Sequence, residues 1–244
     1  NYSSGFNNYT FMKRTSRLPL DERAPRLNRI RFIKSALKIV PFIKLYGDNP
    51  VYTSGKVVTD QAIKLVNEYN DRPLYFYIHY MDPHGPYYEH PYNGKSRHPK
   101  VEFTPEDSLQ RVSDLYKGEI AYTDECLGDL FNYLKENGIY DSSLIVLTAD
   151  HGEEFFDHYG WAHMFSLYEE LIHVPFIIKP PKSQNLKQAD SSLVQQIDIA
   201  PTMIAFCGGK PPENWQGRNI FTDDFHHDYI LSQYEGIYSI RTPI

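Results

Sequence analysis

Eight of the ten histidines fall between His79 and His173. The ones best placed for chemistry stand where short apolar runs stop. Leu74-Tyr75-Phe76-Tyr77-Ile78-His79-Tyr80 gives way to Met81-Asp82-Pro83-His84-Gly85-Pro86, and Leu144-Ile145-Val146-Leu147-Thr148-Ala149 gives way to Asp150-His151-Gly152-Glu153. Open α/β sheets bind their ligands outside the carboxyl ends of the strands, so Asp and His at two such ends point to a site. Asp150 and His151 offer a hard carboxylate oxygen and an imidazole nitrogen on adjacent residues. Neighbouring side chains on a strand face opposite ways, so both reach one ion only where the strand turns, and Gly152 permits that turn. Such a pair suits Mn²⁺, Zn²⁺, Mg²⁺ or Ca²⁺ better than a soft ion. The dipeptide by itself reads more simply as a turn with a surface hydrogen bond. His84, between Pro83 and Gly85-Pro86, sits on a stiff backbone, as a positioned donor needs. Its imidazole, protonated or neutral, can meet an anionic oxygen. His158 and His163 follow in Asp157-His158-Tyr159-Gly160-Trp161-Ala162-His163; each, taken singly, is of a kind that more often serves structure.

These residues need elements to hold them. The runs 74–80, 144–149 and 174–178 are short and almost wholly apolar, the pattern of strands buried on both faces of a parallel sheet. Apolar spacing predicts helices over 30–40 and 59–69. A long helix is expected from Thr104-Pro105-Glu106-Asp107 to Asn137-Gly138, with a capping threonine, a first-turn proline and early acids. Its inward stripe is Leu109, Val112, Leu115, Tyr116, Ile120, Leu127, Leu130, Phe131 and Leu134, with a bend near Gly118 or Gly128. A further helix is expected over 196–207, stopped by Gly208-Gly209, and short strands over 229–231 and 237–240. Strands alternating with helices predict an α/β fold, a mostly parallel sheet sandwiched by helices.

Composition excludes some function classes. The 244 residues are 41% hydrophobic and 23% charged, with a net charge of −6, which excludes a wholly disordered chain. The acidic balance argues against nucleic acid as a partner, since phosphate binding wants a basic face. No apolar run approaches the ~20 residues that span a bilayer. Two cysteines make no disulfide scaffold; Cys126 and Cys207 read as free, buried thiols. Nothing in the sequence assigns a compartment.

The motifs occur as an ordered set: His79-Tyr80-Met81-Asp82-Pro83-His84-Gly85-Pro86-Tyr87, Leu147-Thr148-Ala149-Asp150-His151-Gly152-Glu153, Gly160-Trp161-Ala162-His163 and Ser166-Leu167-Tyr168-Glu169-Glu170. After them come His173-Val174-Pro175, Gln196-Ile197-Asp198-Ile199-Ala200-Pro201-Thr202, Gly217-Arg218 and Ile240-Arg241-Thr242. As a set they resemble the sulfatase family of the alkaline phosphatase superfamily over nearly the whole chain. The resemblance implies an alkaline phosphatase-like fold and metal-dependent hydrolysis of a small-molecule or carbohydrate sulfate ester. It implies that Asp150 and His151 are metal ligands, for Ca²⁺, Mg²⁺ or Mn²⁺ ahead of Zn²⁺. It implies that His84 binds the sulfate group, and that His163 stands near a second basic group, often Lys, that contacts the anion and the leaving group. Asp198 and Pro201 match a structural motif.

One departure stands out. Members of the family carry a Cys/Ser-x-Pro-x-Arg motif, whose Cys or Ser becomes a formylglycine nucleophile, and paired aspartates that complete the metal site. Neither occurs in these 244 residues. The chain is therefore expected to be the C-terminal portion of a catalytic α/β domain over 1–210, truncated at its N-terminus. The start of a smaller subdomain is expected over 211–244, with little or no turnover by the chain alone. Phosphodiesterases, phosphonate monoester hydrolases and phosphoglycerol transferases of the superfamily share the metal pair and form the alternative class. A noncatalytic binding module that keeps the fold is the third reading.

Overall fold

The computed structural model describes residues 53–85, 87–90, 107–163, 166–184 and 192–243. The expected helix over 30–40, the capping Thr104 and Pro105, Pro86 and Tyr92 lie outside the described residues. The chain divides between Tyr133 and Leu134 into two units.

In the first unit, helix α1 (Gly55–Glu68) and the long helix α2 (Asp107–Glu136) form where apolar residues recur at helical spacing. Val58, Ala62 and Val66 of α1 and Val112, Leu115, Cys126 and Leu130 of α2 are buried. The two helices are also joined by polar contacts. The fully buried Thr59 donates its hydroxyl hydrogen bond to the Cys126 carbonyl, 3.1 Å away, and its Oγ1 lies 2.8 Å from the Tyr80 hydroxyl. Lys56 pairs with Asp60 and reaches Asp129. Helix α2 runs on through Gly118 and Gly128 as one element. Its inward stripe differs from expectation at one place: Ile120 is 45% exposed and Glu119 only 1%. The inward position there carries a carboxylate because residues 88 and 90, in the loop ahead of α2, supply donors for it, as described below.

The run 74–80 is not a strand with both faces covered. It has no hydrogen-bonded neighbour strand among the described residues. Leu74, Tyr75 and Tyr77 are exposed, whereas Phe76, Ile78 and Tyr80 are partly covered. It keeps the alternation of an extended segment with one packed face.

The second unit holds the strands. β1 (Ile145–Thr148) pairs antiparallel with β4 (Phe176–Lys179), with Ile145 opposite Lys179 and Thr148 opposite Phe176. β2 (Glu154–Phe155) and β3 (Trp161–Ala162) form a short hairpin. β5 (Ile230–Tyr234) and β6 (Ile237–Arg241) form another, overlapping the short strands expected over 229–231 and 237–240. The fold is α/β, but the described ladders are all antiparallel, not the parallel pairing that unbroken apolar runs suggest. An apolar run reports burial on both faces and not strand direction, and antiparallel edge strands are common on otherwise parallel sheets. The Lys179 ammonium lies over the Tyr140 ring at 4.4 Å and bonds the carbonyls of Tyr140 and Ser143, so the end of β4 is tied to the turn that precedes β1.

Helix α3 (Glu169–Ile172) is a single turn, and α4 (Ile199–Phe206) continues a 3-10 turn over Gln196–Asp198. Asp198 is fully buried. Its carboxylate accepts the backbone N–H groups of Gln195 and Arg218 and faces Nε2 of His227 at 2.9 Å. Both cysteines are free, as expected, but Cys207 is exposed and only Cys126 is buried. Cys207 stands just beyond the last turn of α4, where the helix has no further face to bury. Among the described residues, no helix is long and apolar enough to cross a membrane.

Candidate active site

β1 ends at Thr148, and two residues later the chain turns sharply through Asp150-His151-Gly152. The turn is fixed by backbone: the Gly152 N–H donates to the Leu171 carbonyl at 2.9 Å. A methyl group at Gly152 would overlap the Glu170 carbonyl, so only glycine lets these two segments approach so closely. Gln196 holds the turn from the other side, its amide Nε2 donating to the Ala149 carbonyl.

This turn places Asp150 Oδ2 3.8 Å from His151 Nε2. That separation is shorter than two metal–ligand bonds of about 2.1 Å each, so one ion can touch both atoms. The His151 Nδ1–H donates to the Gly152 carbonyl at 2.8 Å. That bond puts the ring proton on Nδ1 and leaves the Nε2 lone pair for an ion, the usual support of a metal-bound histidine. The residues present therefore fit the divalent ion that the sequence implies.

His163 stacks on His151, ring centroids 4.2 Å apart at 25°. Its Nδ1 faces the Glu153 carboxylate at 3.1 and 3.3 Å, and Glu153 is nearly buried. The backbone leading to His163 is strained: Phe156, Tyr159 and Ala162 have φ of 69°, 66° and 68°. Non-glycine residues adopt that region rarely, and such outliers gather at functional sites. The loop tolerates them because Glu154, at the start of β2, gathers it inward. Its Oε1 accepts the N–H groups of His158 and Gly160 at 3.1 and 2.8 Å.

Three of the four expected site residues thus converge. Asp150, His151 and His163 lie on one turn and the loop beside it. His84 belongs to the other unit. There its N–H closes a turn on the Met81 carbonyl, and its Nδ1–H donates to the Gly85 carbonyl at 2.7 Å. With Nδ1 so committed, Nε2 donates to an anion only when the imidazole is protonated.

Sequence reasoning gave no role to Glu153, Glu154 or Glu170, and read His158 as structural. His158 Nδ1 lies 2.6 Å from Glu170 Oε1, and its ring stacks on Tyr168 at 3.8 Å. Glu154, His158 and Glu170 each present a ligand atom within 4.8 Å of the others. Their atoms also hold the loop, since Glu154 takes two backbone donors and His158 takes Glu170. The signal for Glu153 was its place directly after the Asp-His-Gly turn. The signal for Glu170 was its place in Tyr168-Glu169-Glu170.

Asp82, two residues before His84, is buried. Its Oδ1 accepts the Gly55 N–H at the start of α1, 2.9 Å away, whereas Oδ2 has no hydrogen-bond partner. Burial pushes its carboxyl above the ordinary range, against the lowering effect of the Gly55 bond. A raised folded value means the folded chain keeps a proton that the unfolded chain has released. Stability therefore falls as pH climbs from the unfolded value through the folded one. Asp82→Asn keeps an oxygen for Gly55 and removes the buried charge. It is expected to stabilise the chain at pH 7 by about 1 kcal/mol and to flatten that slope. Thermal melts between pH 4 and 8 would test it; a variant less stable than wild type at pH 7 refutes it.

The Sulfatase family model matches residues 4–209. The chain belongs to the sulfatase family. An N-acetylglucosamine-6-O-sulfatase of Bacteroides thetaiotaomicron is 34% identical over 105 residues, 43% of this chain and 19% of that protein. The multifunctional alkaline phosphatase superfamily protein PehA of Trinickia caryophylli is 32% identical over 116 residues, 47% of this chain and 22% of that protein. The match thus spans about a fifth of the length of these curated sulfatase-family relatives. Among solved structures, the proposed sulfatase yidJ of Bacteroides fragilis shares the fold, with a TM-score of 0.59 at 21% identity over 75% of this chain and 45% of that one. The α/β fold is that of the alkaline phosphatase-superfamily sulfatases.

Proposed function

We propose that this chain carries part of the active site of a metal-dependent sulfate ester hydrolase. The convergence of Asp150, His151 and His163 carries the reading: a two-atom ligand pair, 3.8 Å apart, with a second imidazole stacked against it. Asp150 and His151 hold a divalent ion, Ca²⁺, Mg²⁺ or Mn²⁺ in preference to Zn²⁺. The ion, when bound, lowers the pKa of the nucleophile and polarises an ester oxygen. His163 donates from Nε2 to the leaving or sulfuryl oxygen when protonated, with Glu153 balancing its charge and fixing the ring. His84, through protonated Nε2, neutralises charge on the sulfuryl oxygens. In this reading the nucleophile, a formylglycine, and the remaining acidic ligands lie outside these 244 residues, and the isolated chain is expected to give little or no turnover. The likeness to an N-acetylglucosamine-6-O-sulfatase supports a sulfated carbohydrate as substrate. Phosphate and phosphonate esters form the second reading, because the sequence motifs are shared with the superfamily's phosphodiesterases and phosphonate monoester hydrolases.

The test compares an aryl sulfate with the matching aryl phosphate and phosphonate, using the full-length protein before and after chelation. The expected result is preference for the sulfate, loss of turnover on chelation, and recovery with Ca²⁺, Mg²⁺ or Mn²⁺. Preference for the phosphate ester, or turnover indifferent to chelation, overturns the proposal.

A further inference from the structure

The middle of α2 carries a group that the chemistry above does not use. Glu119 is 1% exposed, and a buried carboxylate in a helix interior costs free energy unless it is bonded. Its bonds all go to one place. Oε1 accepts the Tyr88 N–H at 2.5 Å, and Oε2 faces His90 Nε2 at 2.7 Å. The residues one turn away on the same helix face touch the same segment. Tyr116 meets Tyr87 edge to face, with centroids 5.4 Å apart, and Tyr122 stacks on His90 at 4.2 Å and 14°. Residues at i, i+3 and i+4 share a helix face, so Tyr116, Glu119 and Tyr122 form one strip along α2, and residues 87–90 lie on it. Upstream, Asp82 fastens the other end of the loop to the first residue of α1. His84 lies between these two fastenings.

We propose that Glu119 is the positioning residue of the His84 loop, holding it in place through the Tyr88 amide and His90. The proposal rests on the reading of His84 as the anion-binding histidine. A charge-neutralising donor must be held to within a fraction of an ångström to act in the transition state, and Glu119 takes hold of the chain four and six residues beyond His84. A carboxylate bonded to a backbone N–H and to an imidazole gives two fixed points on three residues. Burial raises the Glu119 carboxyl above its ordinary range, opposed by the His90 and Tyr88 bonds and reinforced by the nearby Asp82 charge. The partners that the loop supplies offset the cost of burying the carboxyl group there.

The test uses the full-length protein with Glu119→Gln, Glu119→Ala, His84→Ala and the double variants. Gln keeps an acceptor for the Tyr88 N–H and loses the charge facing His90. About a 10-fold loss of kcat/KM is expected for Gln, and about 100-fold for Ala, against a wild-type sulfate ester rate. In the His84→Ala background the same substitutions are expected to cost less than about 2-fold, because the group they position is gone. Equal losses in both backgrounds overturn the proposal and leave Glu119 a structural residue. Amide hydrogen exchange gives a readout independent of turnover. In Glu119→Gln the Tyr88 amide is expected to exchange at least about 10-fold faster while amides in the rest of α2 keep their rates. Unchanged exchange at Tyr88 overturns the clamp even if the enzyme is a sulfatase. A normal His84→Ala rate overturns the role of His84 even if the clamp is real.

Discussion

Replacing His151 with alanine is expected to lower sulfate ester turnover on the order of 10³-fold and to strip the full-length protein of its divalent ion. The size follows from what the residue does. Its Nδ1–H is spent on the Gly152 carbonyl, so the ring is aimed before any ion arrives, and Nε2 is one of the two atoms, 3.8 Å apart, that we propose as ligands. The ring is also the surface on which His163 stacks. One substitution therefore removes a ligand and loosens the neighbouring imidazole. Metal content by elemental analysis separates these effects. A variant that keeps its ion and loses turnover would make His151 a platform for His163. A variant that keeps both would end the assignment.

Replacing Gly152 with alanine is expected to cost about 3 kcal/mol or more, a fall in melting temperature on the order of 10 °C or more for a unit of this size. The methyl group would overlap the Glu170 carbonyl. Both sides of that clash are backbone, and the Gly152 N–H is bonded to Leu171, so no rotamer change relieves it. A control lies in α2. A methyl group at Gly128 meets nothing within 4 Å, and alanine there is expected to stabilise the helix by about 1 kcal/mol. Thermal melts of both variants check the pair. A Gly152→Ala chain as stable as wild type would mean that the turn can open without cost.

The parts of the fold that could be read from the sequence are those written by local periodicity. Helices α1 and α2 and the β5–β6 hairpin stand close to where apolar spacing put them. The parts that could not be read depend on partners far along the chain. The direction of the β1–β4 ladder is set by which segment comes to lie beside β1, and an apolar run carries no mark of that. Glu119 was hidden because a helical stripe is drawn through apolar residues, and Ile120 next to it fits the pattern; only the donors at Tyr88 and His90, about thirty positions away, make the carboxylate the inward residue. The site shows the same division. Asp150, His151 and His163 were singled out by the ordered set of motifs and its resemblance to the family, since each taken alone reads as a turn or a structural histidine. Glu153, Glu154 and Glu170 were not, because a glutamate's role is set by the donor it meets.

Asp198 bears on how the chain could be divided. Its carboxyl group is fully buried, and two of its partners, the Arg218 N–H and His227 Nε2, come from beyond residue 210. A methyl group at Gly217 would overlap the Ile197 carbonyl, so the later segment is pressed directly against the turn that carries Asp198. The last stretch of chain therefore cannot be peeled away as a passive appendage. Cutting near residue 210 would remove the Arg218 and His227 partners of the buried Asp198 carboxyl group and leave it the Gln195 N–H. The two sides of that cut are therefore expected to melt together.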